Sequence, residues 1–268
     1  MADDSSPGNA RQRSELATRT LSAIVMVSVA MLALYLGGFA FWLLLTLGAL
    51  AMQYEWAGLV GRQARARLSM LALTVPLSML SPLASGPSFL AIGLIFGAML
   101  FIWAIERGFA LGWGIAYAAF PVLALLYLRQ QDDGLMLALW AMSIVWATDI
   151  GAYFAGRAIG GPKLAPAISP SKTWAGLGGG VFAALLLGLL FYQNFGLPLV
   201  LALASGLLAV LAQTGDLLES HLKRQAGVKD SGNLIPGHGG VLDRVDGLVP
   251  VAPVAALVMI AQAHWLLG

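Results

Sequence analysis

Four stretches of this chain, residues 20–54, 68–105, 173–215 and 247–268, carry no Asp, Glu, Lys or Arg. An α-helix needs about 20 apolar residues to cross the ~30 Å hydrocarbon core of a bilayer, so the longer stretches are read as two helices each. Composition agrees: 59% of the 268 residues are hydrophobic and 10% are charged. Dividing the stretches at glycine, proline and polar breaks predicts an all-α, polytopic transmembrane helix bundle of roughly nine spans. They fall at residues 21–36, 39–57, 69–85, 88–105, 109–128, 134–156, 176–194, 197–222 and 241–264. Residues 1–20 are polar and are read as a flexible segment, with 21–268 forming a single transmembrane domain. Gly37, Gly38 and the cluster Gly176, Gly178, Gly179 and Gly180 suit close helix packing as well as turns.

The basic residues set the expected orientation. With the N-terminus in the cytosol, every Lys and Arg except Arg129 falls on the cytosolic side, as the positive-inside bias requires. The expectation is an integral protein of a bacterial-type cytoplasmic (inner) membrane. A secretory signal does not fit, because the apolar run 21–36 has no small-x-small cleavage site and leads straight into further spans. The net charge of +2 follows topology and points to no nucleic-acid partner. The absence of cysteine excludes disulfides, thiolate metal sites and a cysteine nucleophile.

The scarce charges concentrate at residues 213–247, where Asp216, Glu219, Asp243 and Asp246 accompany Lys223, Arg224, Lys229 and Arg244 around a glycine-rich turn. An ionisable group in or beside hydrocarbon is expensive and marks a functional site. The expected spans bring Asp149, Asp216, Asp243 and Asp246 to one level on three helices, with Asp243 and Asp246 in the first turns of the ninth. Spacings of four and three align Asp216, Ser220 and Lys223 on one face, and spacings of four align Asp149, Tyr153 and Arg157. Asp216, Asp243 and Asp246 near one turn would repel unless a cation sat among them. Mg²⁺ suits such carboxylates, taking oxygen ligands while keeping waters and substrate phosphates. Glu219 is read as a solvated boundary residue, and Glu55, beside Trp56, as a structural anchor.

Anion-binding features flank these acids. The basic loop 157–175 supplies Ser169, Ser171, Lys172 and Thr173. The turn Pro236-Gly237-His238-Gly239-Gly240 offers backbone N–H groups of the kind that cradle phosphate oxygens. Both soluble nucleotide motifs are excluded, since Gly-Lys-Ser/Thr is missing and Gly176–Gly180 lack the dinucleotide spacing. Basic loops, hydroxyls, a glycine turn and carboxylates together make a site for a polyphosphate and a divalent metal. Phosphoryl or nucleotidyl transfer onto a lipid from the inner leaflet follows, with the nucleotide left unnamed.

The run Ser220-x-x-Lys223-Arg224-x4-Lys229-Asp230, then Pro236-Gly237-His238-Gly239-Gly240-x-x-Asp243-Arg244-x-Asp246, resembles the signature of the phosphatidate cytidylyltransferases (CDP-diacylglycerol synthases). Gly215-Asp216-Leu217, Asp149-x-x-Ala152-Tyr153-x-x-Gly156-Arg157 and Ser169-Pro170-Ser171-Lys172-Thr173-Trp174 are similar to that family too. The resemblance covers the C-terminal half, residues 134–268, and the first five spans match only as apolar helices. One departure is visible: the family's serine-lysine loop often carries a second lysine, and an acid after the tryptophan, where this chain has Ser171 and Ala175. The resemblance implies that CTP and phosphatidate give CDP-diacylglycerol and pyrophosphate, with Mg²⁺. Asp243, Asp216, Asp246, Lys223 and Arg244 are then expected to carry the reaction. Asp216 and Asp243 would be the main metal ligands, with Asp246 and Asp149 serving a second ion or ordering the first. Lys172, Lys223, Arg224, Lys229 and Arg244 would divide the triphosphate and the lipid phosphate. Ser169, Ser171, Thr173 and His238 would line the same site, and amides at Gly239 and Gly240 would take the pyrophosphate. Pairing into a homodimer is left open.

Two other classes compete. A transporter or flippase of an anionic lipid or nucleotide would use intramembrane charges, but such proteins carry inverted repeats and midplane sites, and neither is visible here. A CTP-dependent polyprenol kinase would share the polyphosphate site, pass the γ-phosphate to an alcohol and release CDP. A CDP-alcohol phosphotransferase would need Asp-Gly-x-x-Ala-Arg, which this chain lacks.

Overall fold

The computed structural model describes residues 7–235 and 237–267, with backbone alone at 7–19 and 264–267. Residues 1–6 and Pro236, and the side chains of Arg11, Arg13 and Arg19, lie outside the described residues. The helices are α1 (Pro7–Leu36), α2 (Gly38–Leu59), α3 (Ala66–Met79), α4 (Phe89–Glu106), α5 (Ala110–Arg129), α6 (Gly134–Ala158), α7 (Trp174–Phe195), α8 (Leu199–Gln225), α9 (Leu242–Val245) and α10 (Leu248–Leu267). Among the described residues five of them, α4 to α8, are long and apolar enough to cross a membrane, while Thr20–Leu36 and Leu248–Ala263 are shorter apolar helices. The protein is therefore an all-α membrane bundle in class. Buried side chains from all the long helices join in one apolar cluster, with Trp140, Phe41, Leu73 and Ile95 among those fully enclosed.

Three local features depart from the sequence reading. Helix α1 starts at Pro7, so residues 7–20 continue the first helix. A small antiparallel hairpin, β1 (Lys163–Ala165) and β2 (Ser169–Thr173), interrupts the all-helical pattern, pairing Lys163 with Thr173 and Ala165 with Ser169. The ninth span is split. Pro250 lacks the N–H that a continuous helix would donate to the carbonyl of Asp246, and that carbonyl instead abuts Gly215 of α8. Asp243 and Asp246 consequently sit on and just after the separate short helix α9, not in the first turns of α10.

Helices α6 and α7 make the most extensive contact in the bundle, and α7 packs next on α8. The reason is in the glycines. A Cβ at Gly151 would stand 2.5 Å from the carbonyl oxygen of Gly179, and one at Gly180 would stand 2.9 Å from that of Thr148. The two backbones thus approach closely, with only small side chains such as Ala155 and Ala183 in the seam, as small residues permit in membrane bundles. This aligns the end of α6 with the start of α7. Overpacking a tight seam costs about 1–3 kcal/mol or more. Gly151→Leu is accordingly expected to lower the melting temperature and the monodisperse yield in detergent. Gly178→Ala, where a Cβ meets open space, should leave both unchanged or slightly raised.

Candidate active site

Where α6 ends and α7 begins, a cavity of about 450 Å³ opens between Asp149, Tyr153, Arg157, Ser171, Lys172, Gln213 and Asp216. The spacing of four puts the first three on one face of α6, and Arg157 Nη1 donates to the Tyr153 hydroxyl at 2.9 Å. Strand β2 delivers Lys172, and the next residue, Thr173, starts α7 by accepting from the Gly176 N–H at 3.0 Å. Thr173 is buried and occupied as a helix cap, which is the usual work of threonine at that position. Ser169 and the exposed Arg224 and Lys229 lie outside the cavity lining. Helix α8 contributes Asp216, whose Oδ1 accepts from Ser220 Oγ at 3.2 Å.

Lys172 Nζ lies 2.5 Å from Asp216 Oδ2, and its side chain is only 15% exposed. No other side chain or carbonyl hydrogen-bonds this buried ammonium among the described residues. An ammonium has three N–H donors, and buried donors without acceptors are rare and costly. The group is poised for an incoming anion.

A second cluster lies deeper. Glu219 is 1% exposed, contrary to the solvated boundary role read from sequence, because Lys223 Nζ donates to its Oε2 at 3.1 Å. The same ammonium donates to Asp243 Oδ1 at 2.6 Å. Asp243 Oδ2 accepts from the Ser231 N–H at 2.9 Å, the Ser231 hydroxyl at 2.9 Å and the Gly240 N–H at 2.8 Å. Burial works to raise the Asp243 pKa, but the Lys223 ammonium and these amides outweigh it and hold the carboxyl at about 2. Asp246, whose Oδ1 accepts from the Gly247 N–H at 2.7 Å, is pushed up to about 6, first by burial and then by the charge of Asp216.

The glycine turn is held from several sides. Arg244 clasps the carbonyl of His238 through Nε at 3.1 Å and Nη2 at 2.7 Å. His238 Nδ1 meets Ser22 Oγ of α1 at 2.7 Å. Gly239 sits at φ +83°, a region that side chains rarely adopt. The N–H of Gly240, expected to take pyrophosphate, is spent on Asp243. Glu55 is the residue the sequence reading undervalued: at 3% exposure it accepts from the amides of Val241 and Leu242, both at 2.9 Å, and from Ser231 Oγ at 3.1 Å. Its signal was its isolation, for it is the only acid between Glu15 and Glu106.

A divalent cation suits this donor set in part. Mg²⁺ needs only one or two carboxylates beside waters and phosphates, and Asp149 and Asp216 line one cavity with Asp246 in electrostatic reach of both. Among the described residues no three acids already converge at metal distance. Sharing an ion between Asp216 and Asp243 would require Lys223 to yield Asp243 Oδ1.

A profile of the cytidylyltransferase family matches residues 17–261. The chain belongs to the cytidylyltransferase family. Among relatives, a phosphatidate cytidylyltransferase of Brucella suis is 43% identical over 251 residues, 89% of this chain and 91% of that one. A phosphatidate cytidylyltransferase of Pseudomonas aeruginosa is 35% identical over 275 residues, covering 93% and 98% of the two chains. One from Haemophilus influenzae is 46% identical over 137 residues, 47% of this chain and 46% of the relative. Membership of the cytidylyltransferases therefore extends through the N-terminal helices, beyond the C-terminal half that carried the motif.

Removing one partner of a buried ion cluster costs about 3–5 kcal/mol. Lys223→Met, which strands Glu219 and Asp243 together, should thus lower the melting temperature sharply. Adding Glu219→Gln to it should recover part of the loss.

Proposed function

We propose that this chain transfers the cytidylyl group of CTP to phosphatidate, giving CDP-diacylglycerol and pyrophosphate for phospholipid synthesis. In this reading the bundle crosses a bacterial-type inner membrane nine times, with the N-terminus and the cavity facing the cytosol. The observation that carries it is the buried, incompletely bonded Lys172 ammonium beside Asp216, in a cavity walled by Asp149 and Arg157. The relatives named phosphatidate cytidylyltransferase support the same substrates. So does an apolar groove of about 820 Å³ lined by Trp56, Trp113, Phe120, Leu218, Leu222 and Pro253, which suits the acyl chains of a lipid.

The lipid phosphate is the nucleophile. Phosphomonoesters lose their second proton near pH 6, so the attacking oxygen is already anionic and no strong base is required. It forms a bond to the α-phosphorus of CTP as the bond from that phosphorus to the bridging oxygen of pyrophosphate breaks. The barrier is the meeting of two anions and their alignment. Lys172 steadies the triphosphate from the cavity wall, and Arg157 lines the same cavity. Asp216 with Asp149 would hold Mg²⁺, with Asp246 behind them and Asp243 able to join by exchanging Lys223. When bound, that ion would screen phosphate charge and stabilise the leaving pyrophosphate.

The test is product analysis of the purified protein with CTP, phosphatidate and Mg²⁺, with and without EDTA. Metal-dependent CDP-diacylglycerol plus pyrophosphate is expected. Release of CDP with phosphorylation of an alcohol would indicate a polyprenol kinase, and lipid movement without turnover would indicate a transporter. Lys172→Met should lower kcat/KM for CTP by about 10²-fold, and Asp216→Asn should lower turnover further, with both variants still folded.

A further inference from the structure

We infer that Glu55, in the N-terminal half, is a positioning residue for the transfer, holding Asp243 in place through Ser231 and the 240–242 amides. The inference rests on the function proposed above. Glu55 lies near the end of α2, and among the described residues none of its hydrogen-bond partners lines the cavity. Both its oxygens are engaged: Oε1 by the Val241 N–H, Oε2 by the Leu242 N–H and the Ser231 hydroxyl. That hydroxyl also lies 2.9 Å from Asp243 Oδ2. With one proton to give, it donates to one carboxylate at a time or shares the proton between them, and in either case it packs against both and ties their positions together. The loop is moulded round this acid. A Cβ at Gly232 would come within 2.6 Å of Glu55 Oε1, and one at Gly240 within 2.6 Å of Oε2. Carboxylate bonds to amides are among the stronger hydrogen bonds, so a shift of Glu55 passes to Ser231, Asp243 and then Lys223.

The chemistry separates the obvious variants. Glu55→Gln keeps the shape but turns one acceptor oxygen into a donor, facing an N–H it cannot bond. Glu55→Asp keeps two acceptors on a stem shorter by one methylene. A small displacement of a reacting group can cost about 10²-fold, and that loss of kcat is expected for Glu55→Gln, with part of it restored in Glu55→Asp. KM for CTP should stay within about threefold, because binding through Lys172 is untouched. Ser231→Ala should give a comparable kcat loss, and Glu55→Gln with Ser231→Ala together should be no worse than the more severe single variant, since one path carries both.

Hydrogen exchange supplies a readout independent of turnover. In full-length Glu55→Gln, exchange should quicken at residues 240–242 and remain unchanged in α6 to α8. Wild-type kcat in folded Glu55→Gln would overturn the inference. So would unchanged exchange at 240–242, or faster exchange throughout the bundle with no rescue by Glu55→Asp. Should Glu55→Gln fail to fold, Ser231→Ala decides: undiminished turnover in it also overturns the inference. If the wild-type protein makes no CDP-diacylglycerol, the proposed function fails, and the exchange comparison still reports on the Glu55 clamp.

Discussion

One ammonium group, that of Lys223, bridges two buried acids drawn from different segments, Glu219 on α8 and Asp243 on α9. The Asp243 carboxylate could not remain ionised in that position alone, because an isolated buried charge costs several kcal/mol. Much of the local architecture follows from this shared cation. It draws α9 against α8, away from the axis of α10, and Pro250 permits the break. Asp243 then faces the glycine loop while Asp246 stays within electrostatic reach of Asp216 and Asp149.

The two site lysines contrast usefully. Both are 15% exposed, yet their donors are differently committed. Lys223 is engaged twice and acts as a strut. Lys172, a residue of the cavity wall, holds one acid and has donors to spare. Local charge alone does not distinguish a structural lysine from one awaiting a ligand; the tally of partners does.

What could be read from the sequence divides along the same line. The helical class was legible because hydrocarbon leaves a chain few alternatives to long uncharged helices. Asp149, Tyr153 and Arg157, and likewise Asp216 and Ser220, were legible because helical spacing is a local rule. The burial of Glu219 was not: its partner Lys223 lies one helical turn away, but that lysine is also held by Asp243, which is brought near by a helix break that no periodicity announces. Thr173 lines the cavity as the sequence suggested, and its hydroxyl oxygen also caps α7. Gly240 suggested a free amide, yet its N–H belongs to Asp243. Glu55 stayed hidden because its partners lie 176 to 187 residues away, a distance over which pattern reading has no grip.

The glycine seam between α6 and α7 bears on how the protein lives in a fluid bilayer. Helices change tilt when lipid thickness changes, and a site built across loosely packed helices would be stretched or sheared by such changes. Here Asp149 sits on one helix and Lys172 leads directly into the other, and the two are in contact backbone to backbone. They tilt as a single body, so the wall of the cavity that carries Asp149 and Lys172 is insulated from the thickness of the membrane around it.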